Sequence, residues 1–291
     1  KGDTTDWLEL MNFITTSNLT SATNWAFVES RIDMNSFMDF VIAESYGNNT
    51  SWVHNREFWK EKRPGAKWKW FLADMDRTLS TSAVTGTLAD LLTNEDVLVR
   101  LKANTGFKQR LAQRYAAHMA GTFTAARVQS LLSQLDTEIS SAEVARHQAR
   151  WAPNGMTATT RAAGIAGSMN YAAIRATNVF AEITAQLGVA AAVDTTLALS
   201  DPAHGSVLLE GIPVDPGTIK LFPGISATFT AAPAPGYAFT GWTGATGGET
   251  ITLTPTAGLA LTAHFAPSSE TILTRTLAAE LTRLLKERGA L

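Results

Sequence analysis

Two carboxylates two residues apart follow an alternating aromatic run in the stretch KWKWFLADMDRT, residues 67–78. Asp74 and Asp76 could serve as a phosphatase nucleophile and its partner, or as ligands that hold a metal ion against phosphate groups. Carboxylates suit both tasks, because they form covalent intermediates and are hard oxygen ligands for Mg²⁺. A polar turn after a buried strand would also explain the pair. The surrounding sequence has to decide between these interpretations.

The pattern Asp-x-Asp-x-Thr is similar to the first motif of the haloacid-dehalogenase phosphatases. Those enzymes place the motif at the first strand of an alternating β/α sheet and complete their magnesium site with a downstream acidic pair. After Ser80 this chain has a long helix-periodic run and no Asp-Asp pair. The sequence therefore argues against a phosphatase.

The composition is that of a globular protein with room for two cores. The chain has 291 residues, 45% of them hydrophobic and 17% charged, with a formal net charge of −2 and no cysteine. This charge argues against a nucleic-acid partner, and no apolar run reaches the ~18 residues of a transmembrane segment. Without cysteine, disulfides and thiolate metal sites are excluded. The opening KGDTTDWLEL has no initiator Met and no signal sequence, which is typical of a fragment.

The first part of the chain is predicted to contain helices and one hairpin. Apolar residues recur at helical spacing in DWLELMNFI (6–14) and in DMNSFMDFVIAESYG (33–47), where Gly47 is a helix stop. The alternating runs REFWK and KWKWFLA, joined through a Pro-Gly turn, predict a β-hairpin. Asp74 and Asp76 then follow the exit of its second strand.

Residues 90–187 are Ala-rich and helix-periodic. Thr105 and Thr124 are predicted N-caps, because a hydroxyl can accept from the unpaired N–H groups of a first helical turn. Apolar stripes at helical spacing are expected to pack in a core. They are Phe107, Leu111 and Tyr115, and Val128, Leu131, Leu132 and Leu135.

Near residue 190 the sequence changes to short apolar runs between Gly and Pro turns, which predicts a separate all-β module of seven strands. Its segment AAPAPGYAFTGWTG is similar to the signature of bacterial repeat domains related to the internalin B-repeat. That resemblance implies that Tyr237, Phe239 and Trp242 pack in a small core, and that the protein is exported. The tail 268–291 returns to helical spacing.

The residues around the Asp pair resemble the CotH family of atypical protein kinases. NNTSWVHNREFWK (48–60) and KWKWFLADMD (67–76) follow the family's order of Asn-x-Asp-Trp, a later Asn, a strand with Trp, and Asp-x-Asp. NTGFKQRLAQRYAAHM (104–119) and YAAIRATNV (171–179) are similar to its N-x-x-F-x-x-R and F-A-x-x-R segments. The resemblance spans about residues 4 to 187.

This resemblance implies transfer of phosphate from ATP to protein hydroxyls with Mg²⁺ or Mn²⁺. By position, Asn55 and Asp74 would be metal ligands and Asp76 a further carboxylate at the metal site; the alternative is that these residues only cap a turn. Ser51 stands where the family has its catalytic Asp, and a neutral hydroxyl is a poor proton acceptor. The first 50 residues also lack a glycine-rich phosphate loop and the Lys of a nucleotide-binding lobe.

We therefore expect an α+β protein in three parts. A mainly helical CotH-type kinase-like domain with a small β-hairpin occupies 1–188, an all-β repeat domain 189–267, and an amphipathic helical tail 268–291. The expected function is phosphorylation of a protein substrate by a secreted or surface-attached bacterial protein. The alternative is a non-catalytic surface or coat protein whose kinase-like scaffold binds a partner.

Overall fold

The structure, a computed structural model, describes residues 4–79 and 86–287. The chain divides into two compact units, one formed by Lys1–Tyr115 with Phe123–Ala191 and the other by Ala192–Leu291 with Ala116–Thr122. The first is mainly helical with a small hairpin, and the second contains two β-sheets. The predicted α+β class is therefore confirmed.

Helices make up most of the chain before residue 190. They are α1 (Thr5–Thr16), α2 (Ala22–Arg31), α3 (Met34–Gly47), α4 (Leu88–Asn94), α5 (Asp96–Leu101), α6 (Thr105–Ala120), α7 (Ala125–Glu138), α8 (Ser141–Trp151) and α9 (Ala158–Leu187). Strands β1 (Glu57–Trp59) and β2 (Lys69–Phe71) form the hairpin between α3 and α4.

Helix α3 is the buried helix on which the hairpin rests. It begins at the N-cap Asp33, whose side chain accepts from the Ser36 N–H at 3.1 Å. It ends at Gly47 as predicted, with Asn48 in the left-handed conformation at φ 51°. Ten of its fourteen residues are buried, so it has almost no solvent face and belongs to the core of the first unit.

The hairpin is fixed to α3 by its second strand. The Ser36 hydroxyl donates to the Trp70 carbonyl and accepts from the Trp70 N–H, both at 2.9 Å. The inner face carries aromatic side chains, with Phe37 and Trp70 ring centroids 4.7 Å apart and Trp7 stacked on Phe58 at 4.1 Å. A two-stranded hairpin is marginal alone, and these contacts supply the packing that it needs.

Two of the predicted helix features differ in the structure. Asn104, not Thr105, caps α6, because its side-chain oxygen accepts from the Phe107 N–H at 3.0 Å. The predicted cap Thr124 is confirmed on α7. The stripe of α6 is buried as expected, but on α7 the side chains of Leu131 and Leu135 are 50% and 56% exposed, so the core prediction is wrong there.

The second unit contains two four-stranded sheets. Their orders are β6-β3-β10-β8 and β5-β4-β7-β9, and within the first sheet β10 pairs in parallel with β3. The strands are β3 (Val193–Leu199), β4 (Gly205–Leu209), β5 (Ile212–Val214), β6 (Gly217–Leu221), β7 (Ala227–Pro233), β8 (Tyr237–Thr243), β9 (Thr250–Leu253) and β10 (Ala260–Pro267). Strand β5, with proline at its centre, is additional to the seven predicted.

The core of this unit lies between its sheets. Buried residues alternate along the strands, as Phe229 does in β7, and the ring of Phe265 in β10 packs closely on Gly205 in β4. The aromatic signature residues differ from the expectation, because Tyr237, Phe239 and Trp242 are only half-buried. Phe239 still contacts Phe265, with ring centroids 6.2 Å apart.

Helix α10 (Ser269–Glu287) follows the last strand. Its apolar side chains are exposed rather than packed; Leu273, Leu277 and Leu281 are 58–60% exposed. None of the helices in the described part of the chain combines the length and apolarity of a membrane span.

Candidate functional site

The candidate site is built at the open end of the hairpin. The last pair of its register joins Glu57 of β1 and Phe71 of β2. Asn55 lies two residues before β1, and Asp74 lies three residues after β2. The two residues are nineteen positions apart in sequence. Both predicted metal ligands therefore flank the open end of the hairpin in sequence.

Asp74 has an unusual backbone conformation. It lies in the left-handed region at φ 49° and ψ 59°, where aspartate is tolerated better than most side chains. A short 3-10 turn, Met75–Arg77, follows, and the exposed Asp74 carboxylate makes no capping hydrogen bond to it. The side chain of Asp74 therefore does not cap this turn, which was the alternative to a metal-binding role.

The segment that carries Asp76 is held against the end of α3. The Leu79 N–H donates to the Gly47 carbonyl at 3.0 Å, and the Thr78 hydroxyl donates to the Met75 carbonyl at 2.7 Å. A Cβ at Gly47 would lie 3.0 Å from Thr78 Cγ2, so a glycine allows the close approach. Asp76 itself is exposed.

Asn49 links Ser51 to this segment. Its side chain is buried, and its Oδ1 accepts from both the N–H and the hydroxyl of Ser51, at 3.0 and 3.1 Å. Its Nδ2 lies 3.6 Å from the Met75 sulfur, between the two aspartates in sequence. Our sequence reasoning missed Asn49, although the pattern Asn-x-Ser is a signal for such a side-chain turn.

Side chains of α4 and α5 hold the loop from Ser51 to Arg56 in place. The buried indole of Trp52 donates to Asp90 Oδ2 at 2.6 Å, and Arg56 pairs with Asp96 at 3.3 Å. Asn55 is half-buried and donates from Nδ2 to the Ser51 carbonyl at 3.4 Å. Its Oδ1 is the atom suited to a metal ion.

A buried ionic cluster fixes the other side of the site. Arg175 of α9 is fully buried, pairs with Glu182 and donates to the carbonyls of Ser45 and Tyr46 at the end of α3. Glu182 Oε1 accepts from the Gly86 N–H at 3.0 Å. The cluster therefore ties α9 both to α3 and to the chain that enters α4.

Two buried carboxyl groups near the site have shifted pKa values. Burial raises the pKa of Glu95, the N-cap of α5, to about 7 against a smaller effect of its Leu98 hydrogen bond. Burial also raises the pKa of Glu44 in the last turn of α3, opposed by Asn49. Neither residue was singled out from the sequence, because burial of a carboxylate has no local signature.

The predicted site residues thus lie on two adjoining stretches. Ser51 and Asn55 are half-buried in the loop before β1, and Asp74 and Asp76 are exposed after β2. Within the residues that the structure describes, no group of three or more His, Cys, Asp or Glu is arranged to hold a metal. Two carboxylates and an amide oxygen nonetheless fit Mg²⁺, which keeps several waters and takes further ligands from phosphates.

The comparisons with protein families identify both parts of the chain. The model of the CotH kinase protein matches residues 1–175. The chain belongs to the CotH kinase family. A second model, the divergent InlB B-repeat domain, matches residues 195–269. No curated protein and no solved structure gives a significant match.

Proposed function

We propose that this CotH-family chain binds a magnesium or manganese nucleotide at the open end of the hairpin, as part of an ATP-dependent protein kinase. The observation that supports the proposal is the side chain of Asn49, which contacts both Ser51 in the loop before β1 and Met75 between the two aspartates. Phosphoryl transfer asks a protein mainly for positioning and for metal ions that neutralise phosphate charge. Asn55, Asp74 and Asp76 supply hard oxygen donors for such an ion.

Ser51 stands at the position where a general base would be expected in this site. Its hydroxyl donates to Asn49, and a neutral hydroxyl is too weak a base to take the proton of an incoming substrate hydroxyl efficiently. The metal-bound nucleotide would therefore be held and polarised without a strong general base beside it. General bases typically contribute about 10²–10⁴-fold to a rate.

Metal binding is the first test. In isothermal titration calorimetry with Mn²⁺ and a non-hydrolysable ATP analogue, the chain is expected to give a saturable heat that Asp74→Asn abolishes. Asp215→Asn, a change at an exposed aspartate of the second unit, is the matched control and is expected to leave the heat unchanged. Equal titrations of the unmodified chain and of Asp74→Asn would contradict the proposal.

Restoring the carboxylate is the second test. Ser51→Asp is expected to raise phosphoryl transfer from ATP by ~10²-fold or more, because the new carboxylate can orient and deprotonate the acceptor hydroxyl. Ser51→Asn, which matches its size without its charge, is the control. Transfer of ³²P from ATP to an added protein is measured for all three forms.

A metal-binding chain that stays inactive with Asp at position 51 would favour the second candidate, a non-catalytic protein whose kinase-like scaffold binds a partner. The specific observation behind this candidate is the fixed Ser51–Asn49 contact. In either case we propose secretion or attachment to a bacterial surface, for which the divergent InlB B-repeat domain is the support.

A further inference from the structure

Met75 lies between the two aspartates of the candidate site, in the 3-10 turn Met75–Arg77. Its side chain is half-buried, and its sulfur accepts from Asn49 Nδ2 at 3.6 Å. A thioether sulfur is a weak acceptor and a soft, oxidisable atom. The proposed nucleotide site uses the carboxylates on either side of Met75 and gives this sulfur no chemical task.

The Met75 side chain contacts both halves of the candidate site. A Cβ at Gly47, the last residue of α3, would lie 3.9 Å from Met75 Cε, so the methyl group packs against the end of that helix. The sulfur contacts Asn49, whose Oδ1 accepts from the N–H and the hydroxyl of Ser51. A change at the sulfur therefore reaches the loop before β1 as well as the turn after β2.

The turn has little room for a larger side chain. The Leu79 N–H donates to the Gly47 carbonyl at 3.0 Å, which holds the segment after the turn against α3. A Cβ at Gly47 would lie only 3.0 Å from Thr78 Cγ2, so this segment and the helix already approach as closely as glycine allows. An atom added to such a packed region forces its neighbours to move.

Met75 is a methionine that an oxidant can reach. Three of the seven methionines, Met34, Met38 and Met119, are at most 7% exposed, whereas Met75 is half-buried and Met156 is 38% exposed. With hydrogen peroxide, a sulfur lone pair bonds to one peroxide oxygen, the O–O bond breaks, and the other oxygen leaves as water with both protons. The sulfur loses two electrons and becomes a sulfoxide, which is polar and chiral.

The sulfoxide changes the contact with Asn49. Its oxygen is inserted between the sulfur and the amide, so Asn49 Nδ2 has to move away from the sulfur to form an N–H···O bond of ordinary length, about 2.9 Å. Either Asn49 or the turn is then displaced. The first movement shifts Ser51, and the second shifts Asp74 and Asp76.

We propose that Met75 is a redox-sensitive switch. Its oxidation to the sulfoxide displaces the turn that carries Asp74 and Asp76 and weakens metal–nucleotide binding, and reduction of the sulfoxide restores both. The effect on binding rests on the proposed function. The displacement of the turn does not, because it follows from the contacts of Met75 with Asn49 and Gly47.

Peroxide treatment of the whole chain tests the switch with two readouts. Peptide mapping by mass spectrometry follows the oxidation of Met75, with Met156 as the exposed reference. Hydrogen–deuterium exchange of the Leu79 amide, which is bonded to Gly47, reports the turn without any metal, and oxidation is expected to speed it about 10-fold. Calorimetry with Mn²⁺ and a non-hydrolysable ATP analogue is expected to show an affinity lowered about 10-fold.

Two substitutions at position 75 separate this oxidation from other effects of peroxide. Met75→Leu keeps the apolar volume and cannot form a sulfoxide, so its Leu79 exchange is expected to be the same before and after peroxide. Met75→Gln, which carries a polar oxygen near the position of the sulfoxide oxygen, should resemble the oxidised chain without peroxide. The matched control Met156→Leu should respond as the unmodified chain does. Circular dichroism confirms that each variant is folded.

Unchanged Leu79 exchange in a chain whose Met75 is fully oxidised would overturn the inference. A Met75 that stays unoxidised while Met156 is converted, or a response that persists in Met75→Leu, would do the same. An untreated chain that binds no metal–nucleotide, but whose Leu79 exchange responds to peroxide, would refute the nucleotide site and leave the switch of the turn standing. Methionine sulfoxide reductase is expected to return both readouts to their starting values.

Discussion

Glu95 is a buried carboxyl group that titrates near neutral pH. It is 3% exposed, and burial raises its pKa to about 7. The positive charge of Arg56 lowers that pKa and the negative charge of Asp96 raises it, both less strongly than burial. Between about pH 4.5 and 7 the folded chain holds a proton at Glu95 that the unfolded chain has lost, so stability falls as pH rises through this range.

Glu95→Gln is expected to remove this dependence. Glutamine keeps an oxygen for the Leu98 N–H and carries no charge, so the variant should gain up to about 3 kcal/mol over the wild type at pH 8 and little at pH 4. Urea unfolding at several pH values measures the difference. Glu138→Gln, at an exposed glutamate, should run parallel to the wild type, and a parallel Glu95→Gln curve would contradict the assignment.

At the level of single residues, the sequence predicted only part of the candidate site. The carboxylates at 74 and 76 were found from their spacing, and Ser51 was found from the resemblance to the CotH family. The left-handed backbone of Asp74 was not, because it depends on the segment 75–79 being held against Gly47. The buried ion pair between Arg175 and Glu182 was not predicted for a similar reason, because nothing near either residue in sequence shows that both are buried.

At the scale of elements, the loop before the hairpin depends on α4. Trp52 is 2% exposed, and its indole N–H has Asp90 as partner. A buried donor that loses its partner costs the desolvation energy of that group, about 1–3 kcal/mol. The hydrogen bond between Trp52 and Asp90 also holds the short turn that leads to Asn55. It therefore supports both the stability of the chain and the geometry of the candidate metal site.

Asp90→Ala is therefore expected to destabilise the chain by about 1–3 kcal/mol and to weaken Mn²⁺ binding as well. The matched control is Asp96→Ala, which breaks the partly exposed ion pair with Arg56 and removes a charge that raises the pKa of Glu95, and it should cost roughly 0–1 kcal/mol. Urea denaturation gives the stabilities and calorimetry the metal affinities. Equal losses for the two variants would contradict the anchoring role of Asp90.

Elements with strong local patterns were predicted correctly. Helix α3 has both a run of apolar residues and a glycine stop, and the hairpin has alternation with a Pro-Gly turn. The incorrect predictions concern features that depend on tertiary packing. Helix α7 is amphipathic, but its Leu131 and Leu135 remain exposed. At α6, Asn104 and Thr105 are both good caps, and only the structure distinguishes them.

For the molecule as a whole, the two family matches lie on either side of the end of α9. The CotH match ends at residue 175 and the repeat-domain match begins at 195. Helix α9 ends with Gly188 in the left-handed conformation, and β3 begins at Val193. The change from helical spacing to short strands was visible in the sequence because glycine and proline content changes together with the hydrophobic period.

The connection at 188–192 is expected to be the first site of proteolysis in this part of the chain. Gly188, Ala190 and Ala191 are exposed, and an exposed segment between packed elements adapts most easily to a protease active site. Brief digestion with proteinase K, followed by mass spectrometry, should release a resistant fragment that begins near Ala192 and extends to about Pro267. The strand pairing of β3 and β10 within one sheet protects both ends of that fragment, so early cleavage between 200 and 265 would contradict an independent repeat domain.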